Sequence, residues 1–296
     1  MKNYSIALFG STARNSFDKY SDKDILIVSD SVKELNFQKL IYESKGYSVS
    51  TYTYSKLSYL SKNKSLFIDH LILECKIFSD TLGRLKDILE NHVTKTSFQK
   101  DIVKAHEFFH VLDAIPITAE GYAWFCDCFY VGVRNILILE SAKNKKNTFS
   151  YLELIYDLNK LGQINKTEYK LLKDLRIVKK NYRDKLFEEW PSKEFTEQII
   201  QVGKKLNFLK GTKFISSELF EKNAITLLRS SKYDNYSKLR LFEIYYYVKK
   251  HVNSEIEKII YNPQMYASCF KDQLFINNLI LQLPTNNKSI NALVFK

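Results

Sequence analysis

Two apolar runs near the start of the chain, "YSIALFG" at residues 4–10 and "DILIVSD" at 24–30, most constrain what it can fold into. Each suits one strand and is too short for a core helix, and an unbroken apolar run reads as a strand covered on both faces. The stretch between them is polar. The first run ends on Gly10-Ser11, and Asp22-Lys23-Asp24 leads into the second. A glycine at a strand's end lets the backbone approach a ligand closely. A helical turn starting at Ser11 or Thr12 would aim its N–H groups at the strand's end, a natural seat for a phosphate. Arg14 would lie on that same turn, with a guanidinium able to grip phosphate oxygens. Asp22 and Asp24 stand two apart on a strand and so share a face. Two carboxylates with phosphate oxygens form a ligand set suited to Mg²⁺.

Beyond the second run, residues 31–46 carry a Ser start, helical apolar spacing and a Gly stop, which predicts a helix. "YSVSTYTYS", 47–55, is rich in β-branched and aromatic residues and predicts a third strand. "SKLSYLSKN" and "SLFIDHLILECKIF" are both apolar at helical spacing. The pattern is a β–β–α–β–α unit over residues 1–92. From there on it is helical. The helical segments over 97–212 have short joints and predict an antiparallel bundle, and 213–296 reads as further helices packed on it. The expected fold class is α+β: a small α/β domain with a mixed sheet, then an all-α bundle with a C-terminal extension. Only 8 Gly and 4 Pro among 296 residues argue against a turn-rich all-β fold and long linkers.

The residues around the first loop resemble the nucleotidyltransferases of the DNA polymerase β superfamily, most closely the minimal nucleotidyltransferase domains of bacterial toxin–antitoxin and defence systems. That pattern is an apolar strand, Gly-Ser, Ala-Arg, a loop, Ser-Asp-x-Asp and another apolar strand. Here it stands as Gly10-Ser11, Ala13-Arg14, Ser21-Asp22-Lys23-Asp24 and Ile25 to Val28. Asn15 occupies a position that is often Gly in the family, and Asn tolerates the same left-handed turn. The resemblance implies that Asp22 and Asp24 are the catalytic residues and hold Mg²⁺ on an NTP. It implies nucleotide binding by Gly10, Ser11, Arg14 and Ser21. Active members carry a third carboxylate on the following strand, and "YSVSTYTYS" has no Asp or Glu. Either the strand register differs, or a carboxylate from elsewhere serves, or catalysis is weakened or lost; Asp69 and Glu74 are the next acids along the chain, and each reads more readily as a helix-surface charge.

Two functions follow. One is a Mg²⁺-dependent enzyme moving NMP to a hydroxyl of RNA, tRNA included, or of a partner protein. The other is a catalytically weakened sensor or antitoxin module that binds nucleotide or RNA. A net charge of +12 suits a polyanionic partner and equally a lysine-rich surface. Comparison with helical HEPN nuclease domains fails for want of a His shortly after Arg134 or any other Arg. Cys75, Cys126, Cys128 and Cys269 read as reduced thiols, because Cys126-x-Cys128 is too tight for a zinc half-site. His106 and His110 lack a neighbouring HExxH glutamate, and Tyr245 to Tyr247 read as a buried helix face as readily as a base-stacking one. No stretch reads as a signal peptide or a membrane span, so a cytoplasmic protein is expected.

Overall fold

A computed structural model describes residues 3–15, 23–249 and 273–284. Contacts divide the chain into two compact units, Met1–His106 with Gly132–Ile177, and Glu107–Val131 with Val178–Lys296.

The first unit is built on a four-stranded mixed sheet in the order β3-β2-β1-β4. Strands β1 (Ser5–Phe9) and β2 (Asp24–Val28) are antiparallel, with Leu8 opposite Ile25. Helix α1 (Val32–Glu43) follows, its first turn capped by Ser31 Oγ accepting from Glu34 N at 3.3 Å. It returns the chain to β3 (Ser48–Tyr52), which runs parallel to β2 with Ser48 beside Asp24. Helices α2 (Tyr54–Lys62) and α3 (Leu66–Glu74) come next, capped by Thr53 and Ser65.

Here the sequence expectation needs correction. The segment read as one helical stretch breaks at Glu74, and Cys75–Asp80 is a strand, β4, antiparallel to β1 with Cys75 opposite Phe9. Pairing along the free edge of β1 overrides the helical spacing of that segment. Helix α4 (Arg84–Glu90) completes the N-terminal domain.

Both faces of the sheet are covered, as the apolar runs require. Tyr4, Ile6, Ile25, Ile27 and Val49 pack with Leu35 of α1. Ala7, Phe9, Leu26 and Val28 pack on the other face with Leu57, Ile68, Leu71 and Leu85 of α2 to α4. The two-residue period of β2 therefore assigns Asp24 to the face of Leu26 and Val28.

Helix α5 (Gln99–Glu107) leads out of the domain, and Phe98 and Ile102 pack with Ala142 of α6 (Ala119–Lys143). Helices α7 (Tyr151–Lys160) and α8 (Lys166–Arg183) follow, joined by a hydrogen bond of 3.0 Å from Tyr151 Oη to Leu172 O. With 25 residues, α6 is long and apolar enough to cross a membrane, which corrects the expectation that no stretch is; 72% of its most apolar window is buried inside the protein.

In the second unit a 3-10 turn, Phe108–Leu112, precedes β5 (Ala114–Pro116), which pairs in parallel with β6 (Lys213–Ile215). Neither short strand was expected. Around them lie α9 (Lys193–Lys205), α10 (Ser217–Arg229), α11 (Asn235–Lys249) and α12 (Gln273–Leu281). The fold class is α+β, with a mixed-sheet domain followed by a mostly helical remainder.

Candidate active site

The site forms where β1 ends. Gly10 has φ +65°, a left-handed conformation that turns the chain off the sheet and that an L-residue adopts only under strain. Residues 10–15 make a single turn and not the short helix anticipated, with Arg14 N donating to Gly10 O at 3.2 Å. Asn15, φ 56°, supplies the left-handed exit expected of it. Buried Ala13 anchors the turn, and Ser11 and Arg14 stay half-exposed.

Gly10 is also a point of convergence. A Cβ placed there would lie 3.5 Å from Asp24 Oδ2 and 4.0 Å from His70 Nε2. The carboxylate at the head of β2 thus meets the Gly10 turn. Of the residues singled out in the sequence, Gly10, Ser11, Arg14 and Asp24 are brought together; Ser21 and Asp22 lie outside the described residues.

Two residues outside the Gly-Ser and Asp-x-Asp motifs complete it. Glu74, the last residue of α3, accepts from both Arg14 Nη1 and His70 Nε2 on the same oxygen, Oε2; the His70 contact is 2.8 Å. The structure therefore removes Glu74 from the surface charges. Burial alone would raise its carboxyl, but the His70 hydrogen bond and the neighbouring His70 and Arg14 outweigh burial and hold it below the usual carboxylate range. An ionised carboxylate only accepts, so His70 Nε2 carries the hydrogen in this contact. The His70 ring is fixed between Phe149, stacked at 4.5 Å and 19°, and Phe9, edge-on at 5.8 Å and 79°.

On β3 the positions that share Asp24's face are Ser48, Ser50 and Tyr52, so that strand brings no acid. Asp69 serves elsewhere: its buried Oδ1 accepts from Thr94 Oγ1 at 2.6 Å and lies 3.3 Å from His92 Nε2. Glu74 was legible only through β4. With Cys75 opposite Phe9, the residue before it must lie opposite Gly10.

The sequence of this domain has a counterpart among known families. Residues 1–98 match the nucleotidyltransferase domain family. The match supports placing this domain in the DNA polymerase β-type nucleotidyltransferase superfamily. No curated protein and no solved structure matches the chain.

The other candidates are quieter. Among the described residues no group of three or more His, Cys, Asp or Glu is arranged to hold a metal ion. His110 Nδ1 lies 3.3 Å from Asp113 Oδ2. Cys126 and Cys128 are free and buried; burial pushes the Cys128 thiol up to about 12 and Cys126 higher still. Tyr245 is buried on α11 and Tyr247 packs edge-on to Trp190, so the tyrosine run is a packing face. Cys269 and His251 lie outside the described residues.

Proposed function

We infer that the chain moves a nucleoside monophosphate from an NTP to an acceptor hydroxyl. The observation that carries this reading is the Asp24 carboxylate meeting the side-chain-free, left-handed turn at Gly10, inside a nucleotidyltransferase-type domain. A carboxylate oxygen facing a backbone turn open to phosphate suits a divalent ion shared between protein and nucleotide. Asp24, with Asp22 assigned from the sequence pattern, would hold Mg²⁺. When bound, the ion neutralises charge on the phosphates and on the departing pyrophosphate. Gly10 and Ser11 seat the β- and γ-phosphates, and Arg14 and Ser21 add donors. The acceptor oxygen bonds to the α-phosphorus and gives up its proton to solvent, as the bond from that phosphorus to the bridging oxygen breaks and pyrophosphate leaves with the electron pair.

The acceptor classes are RNA, tRNA included, and a side-chain hydroxyl of a partner protein; the +12 charge favours RNA. The setting is a bacterial toxin–antitoxin or phage-defence system in the cytoplasm. The test is incubation of the full chain with labelled NTPs, Mg²⁺ and a cell lysate. Label on RNA or protein that is lost with Asp24→Ala and Asp22→Ala supports transfer. The absence of an acid on β3 favours a second reading, a weakened module that binds nucleotide without transferring it. Saturable NTP binding with no label transferred selects that module.

A further inference from the structure

Arg14 is the nucleotide-gripping arginine of the reading above, and its guanidinium is engaged by Glu74. The same carboxylate oxygen holds His70 Nε2 at 2.8 Å, on the imidazole nitrogen that faces the Gly10 turn. A carboxylate and a phosphate present the same chemistry to such donors: anionic oxygen accepting N–H bonds from a guanidinium and an imidazole.

We propose that Glu74 is a built-in competitor for the triphosphate seat, holding Arg14 and His70 until a nucleotide phosphate takes these donors from it. Three features of the contact fit exchange better than permanent bracing. Both donors converge on one oxygen, so a single incoming phosphate oxygen can replace it. The Glu74 side chain keeps 12% of its exposure, against none for the carboxylate of Asp127, so it has a path toward solvent. Glu74 also ends α3 at the junction with β4, where a side chain can swing without unpacking a helix interior. Left in place, its negative charge would repel the phosphates. NTP affinity is therefore set partly by the cost of displacing Glu74, and polyphosphate is the ligand class that gains from its removal.

The inference rests on the nucleotide-binding reading of the Gly10 turn. The experiment is calorimetric titration of the full chain with Mg·ATP and, separately, Mg·tripolyphosphate, for wild type, Glu74→Gln, Arg14→Met and the double variant. Glu74→Gln tightens both ligands about five- to tenfold, roughly the worth of one ordinary hydrogen bond returned to the ligand. In the Arg14→Met background most of that gain disappears, because the competed donor is gone. Weaker or unchanged binding by Glu74→Gln, with its melting temperature retained, overturns the proposal in favour of bracing. A gain that survives intact in Arg14→Met also overturns it, since mere loss of a nearby negative charge would explain it. If Asp24→Ala abolishes label transfer while Glu74→Gln fails to tighten binding, only this inference falls. If wild type binds neither ligand and transfers no label, the nucleotidyltransferase reading falls with it.

Discussion

Two of the places where arginine meets carboxylate among the described residues are built to opposite ends. In the helical unit, Asp127 is fully buried on α6 and accepts 2.9 Å from Arg183 Nε, with further bonds from Arg183 Nη2 and Arg240 Nη2. Arg240 is itself fully buried, and its Nη1 lies 2.9 Å from Glu243 Oε2, while Tyr182 Oη donates to Glu243 Oε1 at 2.7 Å. Burial raises the Asp127 carboxyl, but the two guanidiniums outweigh it and keep the group ionised. At the Gly10 turn, Glu74 meets Arg14 with both side chains still partly exposed. The same ion-pair chemistry holds a core together in one place and is open to exchange in the other. The difference lies in burial and in how many partners each charge would leave behind.

The sharpest break of this comparison is Asp127→Ala. It removes the carboxylate that two core guanidiniums share and costs about 3–5 kcal/mol, read as the shift in a urea unfolding curve. Asp24→Asn changes stability by no more than about 0.5–1 kcal/mol. Equal losses from the two variants would show that burial does not separate the clusters. Gly10→Ala comes next. Its positive φ makes alanine cost about 1–2 kcal/mol, and the distorted turn weakens Mg·ATP binding in the same titration that reports on Glu74.

A smaller effect attaches to Glu74→Gln, which lowers stability by less than about 1 kcal/mol, as for partly exposed ion pairs. Its pH dependence has a definite sign. The folded-state pKa of Glu74 lies below its ordinary value of 4.5, so its contribution is fully present above that pH and is lost as pH falls through the folded value. The stability gap between wild type and Glu74→Gln therefore closes below pH 4.5. The smallest effect concerns reactivity. A thiol reagent followed by mass mapping modifies half-buried Cys75 before buried Cys126 and Cys128 in the native protein, and rapid labelling of the latter two would contradict their packing.

What could be read in advance divides along physical lines. Strands β1 to β3 and helix α1 were legible because their signals are local: apolar runs, a Ser cap and a Gly stop. Gly10, Asn15 and Asp24 were legible for the same reason, since turn chemistry and strand period act within a few residues. Strand β4 was not, because "CKIF" continues the helical spacing of α3 and becomes a strand only by pairing with β1. Glu74 and His70 were missed with it. Strands β5 and β6 pair segments about a hundred residues apart in sequence, and the Asp127–Arg183–Arg240 cluster likewise gathers distant positions, a juxtaposition no local pattern encodes.

The central claim is that the Asp24 carboxylate beside the Gly10 turn performs nucleotidyl transfer. The most direct test follows label from an α-³²P NTP into lysate RNA or protein with wild type and Asp24→Asn, matched for unfolding midpoint. The account predicts transfer by wild type and none by the variant. Undiminished transfer by Asp24→Asn would contradict it.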